Sequence, residues 1–168
     1  MKNSASLKTI HDSVKERYDF EIERIKLLDD KANNMVSIAS ILATLISGIG
    51  VFSVKISELT FIEISSFLVF LACLGFLVAS LCYSIRAYQI RSYMVVPDPP
   101  SFIVECEKMD PDKILEVLYI NYALAVEENE KKNEQKVFHV KMASWLVFAS
   151  IILFSIFVFL TIGKSYWG

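Results

Sequence analysis

Three uncharged apolar blocks, at residues 35–54, 64–85 and 142–162, constrain this chain more than any other feature. As a helix, a block of about 20 residues rises about 30 Å, which is the thickness of the hydrocarbon core of a bilayer. Buried strands and core helices of soluble proteins are shorter, and core helices show a polar face. The sequence therefore predicts an all-α integral membrane protein with three transmembrane helices.

The distribution of lysine and arginine predicts the orientation of these helices. Between the first two blocks there is only Lys55, and after the third block there is only Lys164. All other basic residues precede the first block or lie between the second and third. By the positive-inside rule, the N-terminus and the middle segment are cytoplasmic and the C-terminus is outside. We expect a multi-pass protein of the inner (cell) membrane whose first partner is the lipid bilayer.

The soluble parts read as helical extensions of the membrane helices. Residues 1–34 form an amphipathic pattern, with apolar residues every three or four positions from Leu7 to Met35 and Ser6 as the expected N-cap. No glycine or proline separates this pattern from the first block, so one continuous helix is predicted. The remaining parts are a transmembrane hairpin at 35–85, a cytoplasmic helical segment at 86–141 and an outer tail at 163–168. Together the extensions predict a cytoplasmic helical bundle.

Prolines divide the cytoplasmic segment. The second membrane helix is expected to continue to about Tyr93, before the prolines at 97, 99 and 100. Asp110 and Pro111 are typical of a helix start, with aspartate as cap and proline in the first turn. The charged run EENEKKNEQK at 127–136 is interpreted as a solvated stalk that leads into the third membrane helix.

Polar residues follow one face of the first membrane helix at steps of three and four. They are Asn33, Ser37, Ser40, Thr44 and Ser47. Such a stripe has two interpretations: small hydroxylated residues let helices pack closely while bonding to backbone carbonyls, or they line a water-filled lumen in an oligomer. Both interpretations place this face inside an assembly, and a homo-oligomer is therefore predicted.

Small residues form a similar stripe on the second membrane helix. Ala72, Gly75, Ala79 and Cys82 share one face there. A seam of small residues is typical of closely packed membrane helices, and we interpret this one as a packing seam.

Two arginines and two tyrosines follow the second membrane helix at its cytoplasmic end. They are Arg86, Tyr88, Arg91 and Tyr93. Contact with anionic lipid explains them, together with the positive-inside bias. The alternative is a phosphate-containing ligand held by the two guanidiniums, with the tyrosines stacked on a base.

Several function classes lack their signatures. His11 and His139 have no other histidine or cysteine at ligand spacing, so no metal site is predicted. All five glycines lie within or beside the apolar blocks, which argues against a phosphate-binding loop. We find no catalytic constellation and no basic groove, and therefore expect no enzyme activity, no cofactor and no nucleic acid polymer as partner.

The order of parts resembles a known family. A charged amphipathic helix ends in LLDDKANNMVSIASILATLISG (27–48), where Lys31 and Ala32 introduce the first membrane helix. An arginine-bearing exit, a soluble segment with Asp-Pro-Asp at 110–112, a lysine-rich stretch and a third membrane helix follow. This architecture is similar to the membrane effectors of the Pycsar antiphage system and, more loosely, to the SLATT membrane domains of related nucleotide-dependent defence systems. The resemblance implies an effector that oligomerises and breaches the inner membrane once infection is sensed.

Two functions remain open on these grounds. The first is an oligomeric membrane effector that disrupts or permeabilises the membrane on a cyclic-nucleotide or protein-partner signal. The alternative is a non-enzymatic membrane scaffold or accessory subunit that holds a cytoplasmic partner. A small transporter is disfavoured because no buried charge or broken helix marks a site at the bilayer midplane.

Overall fold

Three long helices account for most of the structure. The computed structural model describes residues 4–53, 61–96 and 109–167. Within these ranges lie α1 (Ser4–Ser53), α2 (Phe61–Gln89) and α3 (Pro111–Trp167), and no strand. Each helix contains an 18-residue window that is apolar enough to cross a membrane. The all-α class and the continuous first helix are confirmed. Residue 54 of the first predicted span and the prolines at 97, 99 and 100 lie outside the described ranges.

The two helix starts differ in how well they were predicted. The carbonyl of Asp110 accepts hydrogen bonds from the backbone N–H groups of Lys113 (2.9 Å) and Ile114 (3.1 Å), which confirms Asp110 as the residue that caps α3. The expected cap at Ser6 is wrong, because α1 already begins at Ser4. Nothing in the first three residues of α1 opposes helical dihedrals, and alanine at position 5 favours them.

The predicted extension of α2 to Tyr93 is also wrong. α2 ends at Gln89, and residues 90–96 are not helical. Proline at 97 can disturb a helix over at most the four preceding residues, so it does not explain an end eight residues upstream. The cause is a set of side chains from α1 and α3 that bind the backbone of this segment: Tyr18, Asn129 and Lys132.

The chain forms two compact units. The first comprises Met1–Leu28 and Ile90–Lys136, and the second comprises Asp29–Gln89 and Val137–Gly168. In the first unit, a small core of Tyr18, Val96, Tyr122, Ala125 and Val126 joins α1, the segment after α2, and α3. The rings of Tyr18 and Tyr122 meet edge to face with centroids 5.1 Å apart.

The second unit packs the apolar parts of all three helices. Its main core consists of Ala39, Ile46, Cys73, Leu77 and Val147. A smaller cluster of Ala32, Ala87 and Val140 lies at the ends nearest the charged segments of the sequence. The buried residues of each helix recur at steps of three, four or seven, which is the spacing of helices that pack side by side. Large apolar side chains such as Ile41 and Leu68 are instead exposed, as on a surface that faces lipid.

Candidate functional site

The polar stripe of α1 lies on a face that the rest of the described chain leaves uncovered. Asn33, Ser37, Ser40, Thr44 and Ser47 are all exposed. The residues that α1 buries against α2 and α3 are Ala32, Ala39 and Ile46. The stripe therefore belongs to an outward surface of this unit and takes no part in its internal packing.

Two hydroxyls of the stripe are satisfied within the helix. Ser37 donates to the carbonyl of Asn33 at 3.1 Å, and Thr44 donates to the carbonyl of Ser40 at 3.0 Å. Hydroxyls bonded to the preceding turn can face an apolar environment at modest cost, and they can still accept a hydrogen bond from water. The geometry thus fits a helix contact and a water path equally, and the choice between them stays a prediction.

The stripe of small residues on α2 also points outward. Ala72, Gly75 and Cys82 are exposed, while the face that α2 packs inside the unit carries Cys73, Leu77, Ser80, Ser84 and Ala87. A Cβ atom built on Gly75 meets no atom within 4 Å. The internal seam thus lies one or two positions further along the sequence than the stripe of small residues. No described residue of the unit requires a glycine at position 75.

Inside the second unit, small polar side chains bond across helices. The hydroxyl of Ser80 on α2 donates to the carbonyl of Ala143 on α3 at 2.9 Å. Cys73 and Ser150 are paired in both directions, with the thiol 3.1 Å from the hydroxyl and the hydroxyl 3.3 Å from the carbonyl of Cys73. Such bonds hold membrane helices together where lipid offers no competing partner.

The first unit buries a seam of polar residues along α3. The side chains of Asn129, Asn133 and Lys136 are fully buried. The interpretation of 127–136 as a solvated stalk is therefore wrong for this face, although Glu127, Lys131 and Gln135 on the other side are exposed. The polar seam continues the spacing of Tyr122 and Val126, which is why these residues face the neighbouring segments.

Asn133 joins α3 to α1 through a buried carboxylate. Its side-chain nitrogen donates to the carboxylate of Glu21 at 2.7 Å and to the carbonyl of Glu21 at 3.2 Å. Arg24 lies 3.6 Å from the same carboxylate and binds Glu134 at 2.7 Å. The hydrogen bond with Glu134 is the largest influence that raises the pKa of the Arg24 guanidinium. Glu21, only 3% exposed, is thus compensated by an amide and a cation.

Asn129 binds the segment that follows α2 as a neighbouring strand would. Its side-chain oxygen accepts from the backbone N–H of Met94 at 2.9 Å, and its nitrogen donates to the carbonyl of Met94 at 3.1 Å. Lys132 donates to the carbonyl of Ser92, and the Tyr18 hydroxyl accepts from the N–H of Val96 at 3.2 Å. These three side chains therefore bind the backbone of residues 92–96, which do not continue α2 as a helix.

Lys136 is the last residue of the polar seam along α3 in the first unit. Its ammonium lies 5.2 Å from the centre of the Tyr93 ring, within the range of a cation–π interaction. The Tyr93 hydroxyl and the Asn133 side-chain oxygen are buried without a hydrogen-bond partner among the described residues. In the same unit, burial raises the pKa of the Tyr122 phenol, with the charge of Asp19 adding to the effect.

The arginine and tyrosine cluster predicted at the exit of α2 is divided between the units. Arg86 and Tyr88 belong to the second unit and are exposed. Arg91, which is exposed, and Tyr93, which is half-buried beneath Lys136, belong to the first. Neither unit by itself assembles all four residues, and their contact with lipid or a phosphate stays a prediction. In the part of the chain that the structure describes, no group of histidine, cysteine, aspartate or glutamate residues could hold a metal.

Sequence reasoning missed the buried polar residues of the first unit. The signal that could have found them is spacing: Asn129, Asn133 and Lys136 fall at steps of four and three in register with Val140 and Ala143. Glu21 carries the same signal, because it lies three residues after Tyr18 and seven before Leu28, which are both buried.

Comparison with known proteins identifies no relative. No family model matches the chain, and neither a curated protein nor a solved structure shows significant similarity to it.

Proposed function

We propose that this chain is a regulated membrane effector, which inserts in the cell membrane, assembles as a homo-oligomer and permeabilises the bilayer. The observation that carries the proposal is the exposure of the polar stripe from Asn33 to Ser47 within the candidate span of α1. A protomer that left this face to lipid would gain nothing from its polar side chains. A second subunit or a water path along the stripe gives them a role.

The outward small residues of α2 support assembly as well. Gly75 costs about 1 kcal/mol in a helix relative to alanine, and none of its neighbours among the described residues requires it. A helix of another subunit that approaches closely at this position would explain why the residue is glycine.

The buried polar seam of the first unit supports regulation. Polar networks hold helices in one register when satisfied, yet water disrupts them more readily than an apolar core. α1 and α3 are continuous helices that contain both the polar residues and the apolar spans. A rearrangement around Glu21 and Asn133 would therefore move helices that also contain the apolar spans. By the resemblance to Pycsar effectors, the trigger is a cyclic nucleotide or a protein partner made during phage infection. The effector works without catalysis.

The test is dye leakage from liposomes that carry the purified protein, with and without a panel of cyclic nucleotides. The variant Ser40→Leu/Thr44→Leu removes two polar groups of the stripe, and Ile38→Leu/Ile41→Leu is its matched control on the same helix. If the stripe lines a lumen, the first variant abolishes leakage and keeps the oligomer, while the control leaks like the wild type. If the stripe is a helix contact, the bulky leucines reduce both oligomer size and leakage.

Two outcomes contradict the proposal. A monodisperse monomer at several protein concentrations in mild detergent would exclude the oligomer. Absence of leakage, and of toxicity on overproduction, with every trigger would exclude permeabilisation and leave the scaffold function.

A further inference from the structure

A groove between α1 and α3 in the second unit combines a cationic end with an apolar wall. Its volume is about 640 Å³, and it is open to the surface along one side. The residues that matter here are Lys31, Met35, Lys141, Ser144, Trp145 and Phe148. Ser144 lies at the junction of the helices, with its hydroxyl 2.9 Å from the carbonyl of Val140 and 3.5 Å from the sulfur of Met35.

The two lysines of the groove are uncompensated. Lys31 and Lys141 are exposed, and neither forms an ion pair with a residue in the described ranges. No acidic side chain lines the groove. In contrast, Lys131 and Lys132 are each paired with a glutamate four residues earlier. The groove therefore brings together two positive charges that no acidic side chain in the described ranges pairs with.

The charges and the apolar surface are ordered along the helices. Lys31 lies four residues before the apolar block of α1, and Lys141 lies directly before the apolar block of α3. Both helices run from the lysine into the block. Phe148 lies two turns beyond Lys141, at a distance of about 10 Å along α3. Trp145 is 68% exposed and Phe148 is 56% exposed, so both side chains are available to an occupant.

A phospholipid has the same order of charged and apolar parts. Its phosphate lies at the level of snorkelling lysines and interfacial tryptophan, and its acyl chains extend along apolar side chains deeper in the bilayer. We propose that this groove is a binding site for an anionic phospholipid, with the phosphate between Lys31 and Lys141 and an acyl chain along Met35, Trp145 and Phe148. The proposal rests on the membrane insertion argued above. It gives α1 and α3 a bound lipid at the start of their apolar spans.

Quenching of Trp145 fluorescence by brominated lipid tests the site. The protein carries Trp167→Phe, so that Trp145 is the single tryptophan, and is reconstituted in phosphatidylcholine vesicles. A small fraction of brominated phosphatidylglycerol or of brominated phosphatidylcholine is then added. We expect the anionic lipid to quench at a markedly lower mole fraction. Lys31→Gln/Lys141→Gln should weaken this preference by about 30-fold, since each lysine near an anionic surface contributes a factor of about five.

The matched control is Lys8→Gln/Lys15→Gln, which removes the same charge from exposed positions of the first unit and should keep the preference. Equal quenching by both lipids in the wild type would overturn the site. So would protection from both lipids, which means that another subunit covers the groove. Dye leakage from the same vesicles separates the two proposals. Leakage without lipid preference contradicts the groove alone, and lipid preference without leakage contradicts permeabilisation alone.

Discussion

In the first unit, α3 buries Asn129, Asn133 and Lys136, and in the second unit the same helix buries Ala143, Val147 and Ser150 at the same spacing. The first set bonds to a backbone segment and a carboxylate and packs on an aromatic ring. The second set provides close contact and short hydroxyl bonds. The same spacing of buried residues on α3 therefore supports a polar interior in the first unit and a small-residue interior in the second. This difference matches the two environments proposed for the units, water for the first and lipid for the second.

The comparison teaches what each interior depends on. Where water surrounds a unit, buried polar groups lose their hydration, so each needs a defined partner and each loss is costly. Where lipid surrounds a unit, apolar side chains gain nothing by hiding from it, and stability comes from close packing of small residues with modest help from hydroxyl bonds. Single substitutions should therefore have unequal effects in the two units.

The largest effect should follow Asn129→Leu in the first unit. The substitution leaves the N–H and the carbonyl of Met94 without their partner. A buried backbone group without a partner costs about 1–3 kcal/mol, and Met94 is only half-buried, so each of its two groups should cost toward the lower end of that range. We therefore expect a loss of about 2–4 kcal/mol in the free energy of unfolding of this unit. Hydrogen exchange of the Met94 amide should become much faster. Gln135→Leu, an amide replaced on the exposed side of α3, is the control and should change neither quantity. An unchanged Met94 exchange rate in Asn129→Leu would show that the segment after α2 does not depend on this clamp.

These residues also show what the sequence could and could not predict. The helices followed from apolar length and from Asp110–Pro111, because those signals are local. The end of α2 did not, because it depends on Tyr18 and Asn129, which are distant in the sequence. A charged run such as 127–136 predicts exposure on average, and only the partners of Asn133 and Lys136 reveal the buried face.

The candidate site was predictable to a similar extent. The polar stripe of α1 could be recognised as one face from its spacing alone. That this face is outward depends on which side of α1 contacts α2 and α3, and Ala32, Ala39 and Ile46 determine it. No local pattern distinguishes that apolar face from the neighbouring exposed one, which carries Ile38 and Leu45.

A smaller effect should follow Ser80→Ala in the second unit. The substitution removes the hydroxyl that donates to the carbonyl of Ala143 and leaves the close packing intact. We expect a loss of about 0.6 kcal/mol, the average for hydrogen bonds between membrane helices, measured by reversible unfolding in mixed detergent. Ser155→Ala is the control and should have almost no effect, because among the described residues the Ser155 hydroxyl bonds to Ile151 of its own helix alone. A loss as large as that of Asn129→Leu would contradict the difference drawn between the two interiors.

The smallest effect should follow Glu127→Gln on the exposed side of α3. The hydrogen bond with Lys131 and the charge of that lysine hold the pKa of the Glu127 carboxyl below its ordinary value of 4.5. A lowered pKa in the folded state means stabilisation that is present above the unfolded value and is lost as the pH falls through the folded value. Because both groups lie in water, the contribution is slight.

At neutral pH, the amides of residues 128–135 should exchange slightly faster in Glu127→Gln than in the wild type. The difference should vanish below the folded pKa of Glu127 and shrink in high salt. Glu116→Gln removes an exposed carboxylate of α3 that has no ion pair among the described residues, and as the control it should leave amide exchange at neutral pH as in the wild type. A difference that persisted unchanged in acid would mean that Glu127 acts through packing and not through its charge. The outer side of α3 would then resemble its buried seam more closely than its exposure indicates.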